Sequence, residues 1–323
     1  MDSLPLLLLI FVLGLAALVI ASDFFTDAAE KLGLAMGLPP FIVGVTIVSM
    51  GTSLPELLSS LFGIFQGASE VVASNVIGSN IANICLVVGT AAIMSRKLLR
   101  VMYNLISVDL PLFVGSAFLF ALMGMSDQQF TRGESLILFL GYIVYLFYIL
   151  KSSEEANQQS KNTGEETAEN NQTSQMMRYF LVLLVSGIFI FLGANYTIDS
   201  LIKISDRLNV GRDIIAISAV AIGTSLPELM VTINAALKDK AELAVGNVVG
   251  SNIFNIFVVV GIPGMVASSL PVSDSLLTHS VPTLLAASLL MFFIVQDNKI
   301  TTWEGWLFIM LYVWFMGTVF GLL

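Results

Sequence analysis

The chain has 323 residues, of which 56% are apolar and only 11% are charged, whereas an ordinary soluble domain carries about 25% charged residues. This composition excludes a soluble globular protein and predicts that most of the chain lies in a lipid bilayer. The formal net charge of −9 is partly local, between Glu154 and Glu169, so it indicates neither a nucleic-acid partner nor a protein partner. The single cysteine, Cys85, excludes a disulfide framework.

Ten windows along the chain are predicted to be membrane-spanning helices, each of which needs about 20 mostly apolar residues. The first window has neither the positive segment nor the cleavage site of a signal peptide, so we expect a retained helix. Five windows lie near residues 5–22, 40–66, 70–94, 105–125 and 134–150, and five near 179–198, 212–237, 241–267, 277–296 and 303–322.

A polar stretch at residues 151–178 separates the two groups of windows. It has almost no apolar side chains to bury, so we expect a flexible hydrophilic linker. It divides the chain into a first five-helix repeat at 1–150 and a second at 179–323.

The basic residues of the loops predict the orientation in the membrane, because Lys and Arg are enriched in cytoplasmic loops. With the N-terminus outside, ten Lys and Arg residues lie on the inner side and four on the outer side. We therefore expect extracellular termini, a cytoplasmic linker and a multi-pass protein of the cell membrane, plasma or inner.

The two halves contain an internal repeat at an offset of 172 residues. GTSLPEL at 51–57 recurs at 223–229, and SNVIGSNIANI at 74–84 aligns with GNVVGSNIFNI at 246–256. Over the segment that spans both motifs, 20 of 42 positions are identical, which chance does not produce. Since each half has an odd number of spans, the second copy enters the membrane inverted. Such transporters bind their substrate near the midplane, where the repeats meet.

The repeated GTSLPE motif places a carboxylate in the apolar middle of a helix. A charged side chain there costs at least a few kcal/mol, yet neither motif helix has Lys, Arg or His at the depth of Glu56 and Glu228. A bound cation or a proton is left as the partner. Pro55 and Pro227 precede the glutamates, and a helical proline frees the carbonyl of residue i−4, so we expect kinked helices that present oxygen ligands.

Neutral oxygens accompany both glutamates at helical spacing. In each motif a Thr and a Ser lie four and three residues before the glutamate and share its helix face. In the second block a Ser and an Asn are four residues apart and also share a face. Only oxygen is offered, which suits Ca2+ and Na+ rather than Zn2+ or Cu+. The candidate side chains are Thr52, Ser53, Ser79 and Asn83 in the first repeat and Thr224, Ser225, Ser251 and Asn255 in the second.

Structural roles for the polar residues of the second block stay open. Its serines are also consistent with close helix packing, and its asparagines with interhelical hydrogen bonds. Glu70 and Glu242 repeat as well, but they lie at predicted helix starts, where acids interact favourably with the helix dipole. We interpret these two acids as helix caps.

Two GTSLPE blocks, each followed by a GNxxGSNIxN-like block, resemble the alpha repeats of the cation/calcium exchanger superfamily, most closely those of prokaryotic sodium/calcium exchangers. The resemblance covers both repeat cores, at 40–90 and 212–262, and through the ten-helix plan essentially the whole chain. It implies an all-α membrane fold of ten transmembrane helices in two inverted five-helix repeats. It also implies that the first and sixth helices slide past a rigid core of the other eight.

The resemblance further implies a role for each motif residue. Glu56 and Glu228 would be the central Ca2+ ligands, and the backbone carbonyls of Thr52 and Thr224 would join them. Of two flanking Na+ sites, the inner one would be lined by Ser53, Ser79 and the carbonyl of Ser49, and the outer one by Ser225, Ser251 and the carbonyl of Ala221. Asn83 and Asn255 would line the middle. Characterised archaeal exchangers carry an aspartate at the position of Asn255, so this chain has one fewer carboxylate and its stoichiometry stays open.

The expected function is therefore secondary exchange of Ca2+ for Na+ by alternating access, without a prosthetic group or an enzymatic reaction. The nearest alternative is an H+/Ca2+ antiporter of the same fold, although a proton carrier needs none of the hydroxyl and carbonyl ligands. An intramembrane protease is disfavoured because Ser53 has no neighbouring base. A passive Ca2+ channel is disfavoured because inverted halves around a central site serve alternating access.

Overall fold

The structure is a computed structural model that describes residues 4–95, 97–105, 108–162, 172–208, 225–267 and 269–322, without the side chains of 153–162, 172–174, 205, 206 and 208. Apart from four short strands, the regular structure of these residues is helical. In chain order the helices are α1 (Leu4–Ala35), α2 (Pro40–Phe65), α3 (Glu70–Met94), α4 (Asp109–Asp127), α5 (Arg132–Asn162), α6 (Gln172–Leu208), α7 (Leu226–Leu237), α8 (Ala241–Val266), α9 (Leu276–Val295) and α10 (Thr302–Val319).

Eight of these helices are long and apolar enough to cross a membrane. The two others are α7, which has 12 residues, and α10, which has 18. The part of the predicted seventh span that precedes α7 lies outside the described residues. The bounds of α2, α3 and α8 agree with their predicted windows to within one residue, because apolar side chains continue to the ends of these helices.

The predicted linker differs from expectation at both of its ends. α5 continues to Asn162 and α6 begins at Gln172, so much of the stretch 151–178 is helical. The apolar windows mark the parts of these helices suited to lipid, but Glu, Ala, Gln and Lys are good helix formers that extend a helix into water. The linker is therefore hydrophilic as expected, and largely helical where it is described.

The two GTSLPE prolines occupy different places in their helices. α2 stays helical through Pro55, and its irregular turn lies earlier, as a π-helical turn at Gly44–Val48. Pro227, in contrast, lies in the first turn of α7, where a proline costs no intrahelical hydrogen bond. The expected break at the motif therefore agrees with the start of α7, whereas in α2 the departure from α-helical geometry is displaced by about two turns.

Burial separates a central helix from two peripheral helices. All of the apolar window of α8 is buried, but only 22% of that of α1 and 17% of that of α6. α1 and α6 pack along one another, and they approach closely because Gly14 and Gly193 face each other, so that a Cβ on Gly193 would lie 2.9 Å from the Gly14 carbonyl oxygen. This pair forms an outer layer against the rest of the protein.

Glycines allow α2 and α8 to cross with their backbones in close contact. A Cβ on Gly44 would lie 2.6 Å from the carbonyl oxygen of Leu243, and one on Gly246 would lie 2.5 Å from that of Phe41. Such distances are shorter than real Cβ contacts, so only glycine permits this approach of the two backbones. The crossing places the π-helical turn of α2 directly against α8.

Two short antiparallel strand pairs join loops at corresponding places of the two halves. β1 (Leu99–Arg100) pairs with β4 (Lys299–Ile300), and β2 (Gln129–Thr131) pairs with β3 (Ser269–Pro271). In each pair, one strand follows the third helix of one half and the other precedes the last helix of the other half. The loops that the orientation analysis assigned to the same side of the membrane thus meet each other.

Ion pairs attach the end of α1 to the loop between α7 and α8. Lys240 lies 2.6 Å from Asp27 and 2.8 Å from Glu30, and Lys238 lies 2.7 Å from Asp23. Partial burial opposes the charge of Lys238, but its hydrogen bonds to Asp23 and Asp27 prevail and raise the pKa of this amine. The acidic residues near the C-terminal end of α1, Asp23, Asp27 and Glu30, therefore have basic partners.

Candidate functional site

The two repeated glutamates lie in one buried place between the halves. Glu56, in α2, and Glu228, in α7, expose 1% and 0% of their surface. The hydroxyl of Ser53, one turn before Glu56, donates a hydrogen bond of 3.0 Å to Glu228 Oε1 across the repeats. The two carboxylates are also close enough to interact electrostatically. The pairing expected from the repeat is therefore present in three dimensions.

Several buried oxygens of the predicted site residues have no hydrogen-bond partner among the described residues. A buried polar group without a partner costs roughly 1–3 kcal/mol, and a charged group costs more, so a cluster of such groups indicates a site for a ligand that supplies positive charge. Among the predicted site residues, the unpartnered oxygens are both carboxylate oxygens of Glu56, Oε2 of Glu228, Oγ of Ser225, Oγ of Ser251, and the Oδ1 atoms of Asn83 and Asn255. Ser135 Oγ and Asn252 Oδ1 are also buried without a partner among the described residues.

All of the predicted side chains that the structure describes are buried. Each of them exposes 1% or less of its surface. Burial of an apolar side chain needs no special explanation, but burial of polar side chains does. They are Ser49, Thr52, Ser53, Glu56, Ser79, Asn83, Ser225, Glu228, Ser251 and Asn255. The remaining two predicted residues, Ala221 and Thr224, lie outside the described part of the chain.

The two site asparagines both lie in π-helical turns. Asn83 is in the turn Ala82–Val88 of α3, and Asn255 begins the turn Asn255–Val259 of α8. A π-helical turn re-aims side chains within a helix and often occurs at a functional site. The turns occur at matching places of the two repeats.

The hydroxyl groups of Thr52 and Ser49 form hydrogen bonds within the protein. Thr52 Oγ1 lies 3.3 Å from both the Ser49 carbonyl oxygen and Asn247 Oδ1, and Ser49 Oγ donates to the Val45 carbonyl at 2.6 Å. The amide nitrogen of Asn247 in turn donates to Thr232 Oγ1 at 2.9 Å. The hydroxyl hydrogens of Thr52 and Ser49 are therefore used in hydrogen bonds within the protein.

Asn247 belongs to a repeated contact that the sequence reading missed. Asn75 donates to Ser60 Oγ at 3.4 Å, as Asn247 does to Thr232, and each partner lies 15 residues before its asparagine. The signal was available, because both asparagines are identical between the repeats and both partners carry a hydroxyl. Each pair fastens the two motif helices of one repeat to each other.

The interpretation of Glu242 as a simple helix cap needs correction. It lies in the first turn of α8, but its Oε1 accepts the backbone N–H groups of Met102, at 2.8 Å, and Tyr103, at 3.1 Å. The carboxylate therefore holds the loop after α3 against the start of α8. A contact between residues so far apart in the chain leaves no local pattern from which to predict it.

The predicted site residues offer hard oxygen ligands, two of them glutamates. In the described part of the chain, no group of three or more His, Cys, Asp or Glu side chains is arranged to hold a metal ion. Glu56 and Glu228 are the acidic residues of the predicted set, and its other oxygens are neutral. Such a donor set suits Na+ or Ca2+ better than a soft transition metal. A buried site of this kind inside apolar helices defines the class of membrane cation transporters.

Comparison with known proteins identifies the family. The family model described as "Sodium/calcium exchanger protein" matches residues 6–151 and 178–321, so the chain belongs to that family. The match includes both halves and leaves out most of the hydrophilic linker. The resemblance read from the two repeated motifs is thereby confirmed.

Relatives match over nearly the full length of the chain. Sodium/calcium exchanger MaX1 of Methanosarcina acetivorans is 32% identical, with 97% of this chain and 98% of MaX1 covered. The uncharacterized membrane protein MJ0091 of Methanocaldococcus jannaschii is 34% identical, with 94% of each chain covered. The solved structure of the sodium-calcium exchanger NCX_Mj soaked without Na+ and Ca2+ superposes with a TM-score of 0.82 at 29% identity, covering 98% of this chain and 100% of that one.

The fold class and the family together determine the kind of protein. It is a multi-pass, helical membrane protein and a transporter of the cation/Ca2+ exchange class rather than an enzyme. As in the rest of this family, transport requires no prosthetic group. The expectations of a membrane location and of a non-enzymatic function are confirmed.

Proposed function

We propose that this protein is a secondary antiporter that exchanges Ca2+ for Na+ across the membrane by alternating access. The observation that carries the proposal is the shared burial of Glu56 and Glu228 with unpartnered oxygens around them. Two carboxylates balance the charge of one Ca2+, and the neutral oxygens complete the six to eight ligands that Ca2+ takes.

The proposed ligands follow the repeat. Ca2+ lies between Glu56 and Glu228, and the backbone carbonyls of Thr52 and Thr224 complete its shell. Na+ occupies flanking positions that share these carboxylates, so that one ion displaces the other. The Na+ ligands are Ser53, Ser79 and the carbonyl of Ser49 on the inner side, Ser225, Ser251 and the carbonyl of Ala221 on the outer side, and Asn83 and Asn255 in the middle.

Na+ is favoured over H+ as the coupling ion by the neutral oxygens. A proton carrier needs only a carboxylate, whereas Ser225 and Ser251 add buried hydroxyl oxygens without a partner among the described residues. MaX1 and NCX_Mj carry the name sodium/calcium exchanger. The alternative is an H+/Ca2+ antiporter of the same fold, in which the two glutamates carry the protons.

The proposed architecture is ten membrane spans in two inverted repeats, at 1–150 and 179–323, with the linker in the cytoplasm and both termini outside. Support comes from the symmetric strand pairs described above. The last helix of each half also begins with the same capping box, in which a threonine hydroxyl accepts the N–H of a glutamate at 3.3 Å, at Thr131–Glu134 and at Thr301–Glu304. These matching features support a duplication that extends beyond the two motifs.

Alternating access is proposed to proceed by sliding of α1 and α6 over the other helices. These two are the least buried of the candidate spans, and they pack on each other, so they can move together. The ion pairs of Lys238 and Lys240 with the end of α1 would have to rearrange during this motion.

Uptake of radioactive Ca2+ into proteoliposomes tests the choice of coupling ion. Vesicles loaded with Na+ and diluted into Na+-free medium should accumulate Ca2+, because outward Na+ flow drives Ca2+ inward. Vesicles with an outward H+ gradient and no Na+ should show only the background of protein-free vesicles. Uptake that followed the H+ gradient and ignored Na+ would contradict Na+ coupling and support the alternative.

A further inference from the structure

Two hydrogen bonds connect the Asn255 side chain to the backbone of its own helix, α8, by way of Asn80 in α3 of the other repeat. The amide nitrogen of Asn255 donates to Asn80 Oδ1 at 3.0 Å, and the amide nitrogen of Asn80 donates to the Asn252 carbonyl oxygen at 3.2 Å. Asn80 and Asn255 expose 0% of their surface and Asn252 exposes 2%. Asn80 has no role in the ligand set proposed above.

The backbone carbonyl determines the orientation of both amides. A carbonyl oxygen only accepts hydrogen bonds, so the atom of Asn80 that faces Asn252 must be its NH2 group. Asn80 Oδ1 then faces Asn255, and the atom of Asn255 that meets an acceptor must again be the NH2 group. Asn255 Oδ1 is thereby turned away from Asn80, and it has no partner among the described residues.

The turn that carries the freed oxygen packs against the helix of Glu56. The π-helical turn Asn255–Val259 packs against α2, which carries Glu56. We propose that Asn80 is a positioning residue of the cation site, which turns the Asn255 side chain so that its oxygen and not its NH2 group faces the bound cation. This inference rests on the proposed function of that site.

The same contact explains why an amide suits position 255. An ionised aspartate has only acceptor oxygens, so it would meet Asn80 Oδ1 acceptor to acceptor. Asn80 would have to turn over and give up its bond to the Asn252 carbonyl. Asn80 therefore favours a neutral side chain at position 255. Glu56 and Glu228 are then the two acidic residues of the proposed site.

The repeat provides a matched control, because the corresponding contact is absent on the other side. The counterpart of Asn80 is Asn252, whose amide nitrogen donates to the Val248 carbonyl of its own helix at 2.8 Å. Its Oδ1 has no partner in the described part of the chain, and neither has the amide of Asn83, the counterpart of Asn255. Asn80 and Asn252 are thus equally buried amides, of which only one orients a ligand residue.

Equilibrium Ca2+ binding to the purified full-length protein, measured by titration calorimetry, tests the inference. Asn80→Leu should weaken Ca2+ binding about tenfold, as loss of a ligand-orienting partner does at other metal sites, whereas Asn252→Leu should change it less than twofold. Equal weakening by both substitutions would show a packing effect and overturn the inference. Asn80→Ala, which adds no bulk, is the second variant and should weaken binding to the same extent.

A double-mutant cycle separates positioning from general damage. In an Asn255→Ala background there is no amide left to orient, so Asn80→Ala should cause less than a twofold further loss. A full tenfold loss in that background would overturn the inference while leaving the proposed function intact. If the unmutated protein bound no Ca2+, or bound it equally well as Glu228→Gln, the proposed function would fail and the inference with it.

Discussion

Replacement of Glu228 by Gln is expected to abolish Ca2+ exchange, with at least a roughly 100-fold loss of initial rate at subsaturating Ca2+. The substitution keeps the size of the side chain and the acceptor for Ser53, whose hydroxyl lies 3.0 Å from Glu228 Oε1, but it removes one of two charges that balance Ca2+. Truncating one partner of a buried charge pair costs about 2–5 kcal/mol, and 2.7 kcal/mol is about 100-fold. Glu56→Gln should have an effect of similar size, because both carboxylates belong to the same site.

Glu70→Gln is the matched control for this loss. Glu70 is also repeated between the halves, but it is exposed at the start of α3, so its substitution should leave Ca2+ uptake within about twofold of that of the unmutated protein, in line with the small effects of most surface substitutions. Vesicles with matched protein content are required for the comparison. Exchange retained in both Glu56→Gln and Glu228→Gln would refute the site.

Substitution of Gly250 by Ala is expected to destabilise the folded protein. A Cβ there would run into the Val45 carbonyl oxygen and lie 2.6 Å from Ser49 Oγ, and a backbone carbonyl cannot turn aside as a flexible side chain can. Overpacking of this kind costs typically about 1–3 kcal/mol. A lower yield of monodisperse protein in detergent and a lower midpoint of thermal unfolding are the expected results.

Gly115→Ala is the control, because it tests whether alanine in place of any helical glycine destabilises the protein. Gly115, in α4, is exposed and a Cβ there would have no described atom within 4 Å. Alanine is favoured over glycine in a helix by about 1 kcal/mol, so this variant should be at least as stable as the unmutated protein. Equal stability of Gly250→Ala would show that the α2–α8 crossing does not depend on a missing side chain.

The features that could be predicted from the sequence are those that produce a local or periodic pattern of residues. Apolar windows predict the helices because lipid demands about 20 apolar residues in a row, and α2, α3 and α8 accordingly agree with them. The offset of 172 residues pairs Glu56 with Glu228, because a duplicated motif carries its chemistry into both copies. The proximity of the two glutamates was predicted from the interpretation of the halves as inverted repeats, which needs no knowledge of side-chain packing.

Other features depend on hydrogen bonds between distant residues, and these produce no such pattern. The π-helical turns at Ala82–Val88 and Asn255–Val259 differ from an α-helix by one residue in hydrogen-bond spacing, which composition does not reveal. The contact of Asn80 with Asn255 joins residues 175 positions apart. The helical ends of the linker were missed for a different reason, since hydropathy reports on lipid contact and not on helix propensity.

Long-wavelength anomalous diffraction from crystals grown with Ca2+ tests the central claim most directly, because it locates the ion without reference to transport. The strongest Ca2+ peak is predicted between the carboxylates of Glu56 and Glu228, and it should disappear as Na+ replaces Ca2+ in the crystal. A strongest peak at the acidic end of α1, beside Asp23 and Asp27, with none between the two glutamates, would contradict the proposed site.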